Sequence, residues 1–255
     1  MIDQKPRAWS RRRLLATGGA LALGGLAGCA GDVGSNSNAE AGENPPLDGH
    51  PAANGLGEQP RFGPPPTEAE GVVVAFEDPS CPRCAAFETD TVPKLRERLG
   101  DRVSFVLRTY PVVYPWGKPA TQAIEAAFAH EMEAETTGAE TNTPESGPYG
   151  ARQGSVDTWA LIRHYFEEQG QFDEGNVFEK TQTFLADQTD LDAEAVVADA
   201  EAAAYDDAVQ TDLSAGEAAD VGQTTPTVFL FRDGKFQTSA KGSISFRVVE
   251  AALGV

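Results

Sequence analysis

Val72-Val73-Val74-Ala75-Phe76 is a continuous β-branched and aromatic run, the pattern of a strand buried on both faces. Glu77-Asp78-Pro79-Ser80 ends it, and from Cys81 onward Ala85, Ala86, Phe87, Val92, Leu95 and Leu99 recur at near-helical spacing. That spacing predicts a helix which Pro93 kinks or splits and Gly100 closes. Val103 to Tyr110 alternates as a second strand, ended by Pro111 and Pro115, and the three elements read as a parallel β–α–β unit. Helical patterns follow at 118–135 (Ala123, Ala127 and Phe128 inward), at Val156–Gln169 (Trp159, Leu161, Ile162, Tyr165 and Phe166 as core), at Val177–Ala186 and at Ala193–Leu213. The polar, Gly- and Pro-containing residues 136–154 read as a loop. Thr227 to Phe231 is a strongly apolar strand, and Asp233-Gly234 is a hairpin signal between it and a short strand near Phe236–Ala240. A helix at Ser245–Leu253 closes the chain. The order is β–α–β, a helical insert at about 118–215, then β–β–α, an α/β architecture over residues 70–255.

The first 69 residues follow neither period. Lys5, Arg7 and Ser10-Arg11-Arg12-Arg13 precede a small-residue apolar stretch from Leu14 to Gly28. At 15 residues it is shorter than the roughly 20 needed to span a bilayer. A basic front and a short apolar run form the layout of an export signal, here residues 1–28. The paired arginines resemble the twin-arginine type, which carries folded proteins. Leu26-Ala27-Gly28-Cys29 resembles a lipobox, in which Cys29 would be lipidated and hold the chain at the outer face of the cytoplasmic membrane; the other reading is a cysteine at the end of an ordinary cleaved signal. A single acyl chain anchors only marginally, so stable attachment needs more than one. Residues 29–69 are rich in Gly, Pro, Asn, Ala and Glu, a composition that does not offset its ordering entropy, and read as a disordered tether.

Charge narrows the function classes. The 255 residues carry 39 acidic against 20 basic side chains, a net charge of −19, which argues against a nucleic-acid partner. Such acidity with only six lysines resembles proteins of salt-loving organisms, haloarchaeal in type, where ions screen self-repulsion to about 3 Å at 1 M. Eleven acids and no Lys or Arg fall between Thr181 and Phe231, a solvated helical face in the plain reading and a docking surface in the other.

Three cysteines, Cys29, Cys81 and Cys84, are too few for a disulfide-stapled scaffold. With Cys29 on a lipid, Cys81-Pro82-Arg83-Cys84 stands as a pair at a strand-to-helix step. The helix N-terminus offers unpaired N–H groups and a positive dipole end to a thiolate at Cys81. Pro82 suits the first turn, and Arg83 adds a permanent charge. Pairs of this kind have first-thiol pKa values of roughly 3.5–7, and a stable thiolate makes the disulfide more oxidising. Two other uses are open. Zinc usually takes four ligands, but no second Cys pair is present and His50, His130 and His164 are scattered. A structural disulfide across four residues would add little by loop closure. No metal and no cofactor beyond the disulfide itself is expected.

Thr224-Thr225-Pro226-Thr227 opens the late apolar strand. A CPxC pair after the first strand, a helical insert and this Thr-Pro-Thr together resemble the DsbA-like branch of the thioredoxin superfamily, over about residues 70–255. The resemblance implies a thioredoxin fold with an inserted helical subdomain and a thiol–disulfide oxidoreductase acting on extracytoplasmic protein thiols. It implies Cys81 as the exposed, attacking cysteine and Cys84 as the buried resolving one. Pro226 would be cis and face the pair, Thr225 would pair with substrate backbone, and Pro82 and Arg83 would tune the potential. A membrane or small-molecule oxidant would reset the pair. Two features depart from the branch: arginine stands at 83 where histidine is common, and Ala75 stands where a buried acid often serves the second sulfur. Glu77 or Asp78 could substitute, although a solvated loop is the expectation for both. A disulfide donor is the leading reading. A reductase or isomerase of the same fold, and a thioredoxin-fold binding or metallochaperone-like module, are the others; the last lacks soft ligands, the only methionines being Met1 and Met132.

Overall fold

The computed structural model describes residues 45–137 and 156–255. The export signal, Cys29 and most of the expected loop at 136–154 lie outside them. Five strands form one mixed sheet: β1 (Arg61–Phe62), β2 (Gly71–Glu77), β3 (Val103–Thr109), β4 (Thr227–Arg232) and β5 (Lys235–Lys241), in the order β1-β3-β2-β4-β5. β2 and β3 are parallel, with Ala75 opposite Leu107 and Glu77 opposite Thr109; β4 runs antiparallel to β2, and β5 to β4. The expected β–α–β and β–β–α halves are therefore present, and they share one sheet.

All seven residues of β2 are buried, as its unbroken apolar run requires. Val73 and Ala75 point to one face; Val72, Val74 and Phe76 point to the other. On the first face lie α1 (Pro82–Asp90), α2 (Val92–Leu99) and α8 (Phe246–Leu253), with Phe87, Leu95, Leu99 and Leu253 in the core. The helix expected from Cys81 to Leu99 is split at Thr91. Pro93 sits in the first turn of α2, and the buried Thr91 hydroxyl donates to Ile244 O at 2.7 Å, tying the break to the approach to α8.

The insert comprises α3 (Gly117–Thr137), α4 (Val156–Glu167), α5 (Val177–Gln188), α6 (Ala193–Glu201) and α7 (Asp206–Ala218). The single helix expected at Ala193–Leu213 is two. Ala203 takes a left-handed φ of 51°, so the chain turns between them. The turn lets α6 lie against α3 and α5 while α7 reaches β3 and the second face of the sheet. There Gly216 permits close approach: a Cβ at this position would stand 2.4 Å from the Tyr110 ring.

Residues 45–69 depart from the expected tether. Three 3₁₀ turns, Leu47–Gly49, Pro51–Ala53 and Leu56–Glu58, precede β1 and bury Leu47, Ala52 and Leu56 against Val72, Val74, Phe229 and Phe231. Leu47 N–H donates to Gly234 O at 2.8 Å, and Phe236 N–H donates to Pro45 O at 2.9 Å. His50 stacks on Phe236, with centroids 4.9 Å apart. Arg108, fully buried in β3, donates to Asn54 O and lies 3.4 Å from the Asp212 carboxylate. The apolar residues are few, but each finds the otherwise open sheet face. No described helix is long and apolar enough to cross a membrane.

Candidate active site

The pair sits where β2 gives way to α1. Cys81 is the N-cap, extended at φ −82° and ψ 119°, and Pro82 opens the helix. The loop before it is built by Asp78. Its Oδ1 accepts from the Ser80 N–H at 2.8 Å and the Ser80 hydroxyl at 2.6 Å; its Oδ2 accepts from Val112 N–H at 2.7 Å and Val113 N–H at 2.6 Å. Ser80 Oγ accepts from Tyr114 N–H at 3.0 Å. Asp78 is therefore a buried bracket between the pair's loop and the segment after β3, not a solvated loop residue. Gly117 gives this bracket room, since a Cβ there would stand 2.4 Å from Asp78 Oδ1.

Thr225 and Pro226 reach the same place from the far end of the chain. Their peptide bond is cis, and the Cys81 thiol donates to Thr225 O at 3.4 Å. Cys81, Pro82, Arg83, Cys84, Thr225 and Pro226 thus converge on one site. The expected contrast in exposure is absent: Cys81 retains 2 % of its surface and Cys84 none. Both are free thiols.

Their proton affinities nevertheless diverge. The neighbouring Cys84 thiol, then Thr225 and the N–H groups of Cys84 and Arg83, draw Cys81 down to about 5 against the opposing effect of burial. Burial first, and then the bond to Cys81 and the charge of Glu77, pushes Cys84 well above the ordinary thiol range. Arg83 is exposed, and the group it presents to Cys81 Sγ is its backbone N–H.

Sequence reasoning named Glu77 as a candidate substitute acid while expecting it in a solvated loop, and it missed Glu88. Both are buried, Glu77 completely. Burial, then the adjacent Glu88 carboxylate, holds Glu77 well above the carboxylate range; burial raises Glu88 to about 7, opposed by Glu77 and by Arg96. Ala75 is indeed no acid, but Glu77, two residues further along β2, acts on Cys84, and Glu88, one helical turn after Cys84 in α1, neighbours Glu77. The four-residue spacing from Cys84 to Glu88 was the available signal, since it places both on one helix face. Among the described residues no group of three or more His, Cys, Asp or Glu is arranged to hold a metal ion.

A thioredoxin family model matches residues 62–243. No curated protein matches the sequence. Among solved structures, oxidised BdbD from Bacillus subtilis superposes with a TM-score of 0.60 at 18% identity, covering 84% of this chain and 98% of that one. DsbA from Chlamydia trachomatis gives 0.57 at 13% identity (82% and 91% covered). The catalytic domain of Proteus mirabilis ScsC gives 0.53 at 16% identity (80% and 91% covered). With its family match spanning both halves of the sheet and the whole insert, the chain belongs to the thioredoxin family and has the DsbA-type form of that fold.

Proposed function

We propose that this protein is an exported thiol–disulfide oxidoreductase that donates disulfides to protein substrates through Cys81 and Cys84. The observation that carries this reading is the divergence of the two thiols, one drawn to about 5 and the other pushed up. A sulfur that is a stable thiolate is a good leaving group, so the oxidised pair is reactive and its reduced form is favoured. In the forward direction a substrate thiolate attacks Cys81 Sγ of the disulfide, the Cys81–Cys84 bond breaks, and Cys84 leaves as a thiolate. A second substrate thiolate then attacks the substrate sulfur of the mixed disulfide and expels Cys81 as its thiolate. Substrate is oxidised by two electrons and the pair is reduced by two. Cys84, with its high proton affinity, takes up a proton on leaving, and the Glu77–Glu88 pair beside it is placed to supply one.

Equilibration with glutathione buffers tests the direction. A potential near −120 mV is expected for a donor, whereas one near −270 mV would make the protein a reductant. Cys84→Ala is expected to trap mixed disulfides with substrate; absence of adducts under oxidising conditions would rule out exchange. The twin-arginine pattern and Leu26-Ala27-Gly28-Cys29 support export and lipid attachment at Cys29, with a membrane-bound or small-molecule oxidant resetting the pair. Release of a Cys29→Ser chain into the medium is the expected result; unchanged membrane partition would count against lipidation.

A further inference from the structure

The loop carrying the pair is held from two sides. The Asp78–Ser80 bracket fastens it to the segment after β3. On the other side, a single side chain from the helical insert reaches it: Gln169 Nε2 donates to Pro79 O at 2.7 Å and to Cys81 O at 3.0 Å. The two carbonyls flank Ser80. That of Cys81 also accepts from Ala85 N–H at 3.0 Å, the first hydrogen bond of α1, so the Gln169 amide occupies its second lone pair.

Gln169 is itself presented by an ordered turn. It opens the 3₁₀ turn Gln169–Gln171 directly after α4. Gln171 O accepts from Asn176 Nδ2 at 3.1 Å, and Asn176 Oδ1 accepts from Asp173 N–H at 2.9 Å. Phe172, the next residue after the turn, stacks on Trp116 with centroids 5.3 Å apart. Trp116 follows the segment that Asp78 and Ser80 bind, so the amide and the bracket share one aromatic footing.

We propose that Gln169 is a positioning residue for the Cys81 thiol: its amide, reaching out of the insert, fixes the Pro79–Cys81 backbone and so sets how the first N–H groups of α1 face Cys81 Sγ. Two effects act together. The extended N-cap conformation of Cys81 is held from both flanks, which keeps the N–H groups of Arg83 and Cys84 on the sulfur. In addition, each donor offsets the negative end of a carbonyl dipole lying in the same short loop as a thiolate. The inference rests on the exchange reading only in taking Cys81 as the reactive sulfur.

The test is the pH dependence of iodoacetamide alkylation, followed by peptide mass at Cys81 in the otherwise unaltered chain, with thermal unfolding read alongside. Gln169→Met keeps the length and removes both donors. It is expected to raise the Cys81 midpoint by about half a unit to one unit, the scale of one or two net hydrogen bonds. Gln169→Glu, which points a carboxylate at two carbonyls, is expected to raise it further. The glutathione equilibrium should move toward the less oxidising side by about three- to tenfold. If Gln169→Met does not fold, Gln169→Asn, which draws the amide back by one methylene, reads the same midpoint. A folded variant with the wild-type midpoint overturns the proposal. Because alkylation needs no protein substrate, a midpoint that responds to Gln169 in a chain transferring no disulfides would sink the exchange reading alone. Exchange that proceeds with a midpoint indifferent to Gln169 would sink only the positioning role.

Discussion

Cys81 and Thr225, 144 positions apart in sequence, meet through a thiol-to-carbonyl hydrogen bond of 3.4 Å. The Cys84 thiol, then the Thr225 side chain and the N–H groups opening α1, prevail over burial and draw Cys81 to about 5. Alkylation of Cys81 in the reduced chain should therefore show a midpoint near pH 5, with the sulfur almost wholly thiolate at pH 7. A midpoint above 8 would mean that these donors do not act on it.

Glu77 touches no substrate but stands beside the resolving sulfur. When substrate disulfides are reduced in the reverse reaction, Cys84 must lose a proton before it can attack the mixed disulfide. Glu77→Gln removes a fully buried carboxyl group that acts on Cys84. The attack by Cys84 should slow by about tenfold or more, at the low end of what a positioned base contributes, while alkylation of Cys81 changes little. Stopped-flow decay of a Cys81 mixed disulfide reads this step, and an unaltered rate would assign proton transfer elsewhere.

Burial raises Glu88 to about 7, Glu125 to about 8 and Asp212 to about 7. The folded chain then holds protons that the unfolded chain has released, so stability falls as pH rises from about 5 to 8 and levels off above. The thiolate of Cys81 acts in the opposite sense over the same range. The measurement therefore belongs in the Cys81→Ala/Cys84→Ala chain, in molar salt that screens surface repulsion. The urea midpoint should decline from pH 5 to 8, and Glu125→Gln should flatten part of the decline. A midpoint that climbs with pH would contradict the raised acids.

Arg108 gives a stability prediction with a local signature. It is the cation beside buried Asp212 and the donor to Asn54 O. Arg108→Met leaves the carboxylate unpaired, and a loss of about 3–5 kcal/mol is expected from denaturant unfolding. Hydrogen exchange should rise first over residues 47–58, which lose their fastening to β3. Uniform protection there would show that the 3₁₀ turns are held by apolar contacts alone.

Where side chains repeat with a clean period, sequence and structure agree. β2, β3 and β4 could be read from their apolar runs, the split near Pro93 from the missing N–H, and the pair from its spacing at a strand-to-helix step. Burial that depends on distant partners could not be read this way. Leu47, Ala52 and Leu56 lack any period and look like linker until the face of Val72 and Phe231 is in place. Glu77 and Asp78 look solvated because their neighbours Pro79 and Ser80 are turn residues, and only the return of Val112 and Val113 to Asp78, and of Glu88 and Cys84 to Glu77, reveals their burial. Gln169 closes a predicted helix with nothing to distinguish it from other polar ends. The turn at Ala203 lies within an alanine run that carries no stop signal.

β1 is two residues long, yet it covers one edge of the sheet. Arg61 and Phe62 pair with Val106 and Phe105, Pro60 O accepts from Leu107 N–H at 3.0 Å, and Gly63 presses against the Val103 carbonyl so closely that a Cβ would stand 2.1 Å from it. Without that short cover, the outer side of β3 would be a row of seven residues offering unpaired backbone groups beside an apolar core. A strand in that state recruits strands from neighbouring molecules. With β1 in place, the free edge among the described strands is β5, which is bounded by Lys235 and Lys241 and exposes much of its length to solvent. Two ordered residues ahead of the first core strand thus act as a guard against self-assembly, and a chain begun at Gly71 would be expected to fold into a stickier molecule.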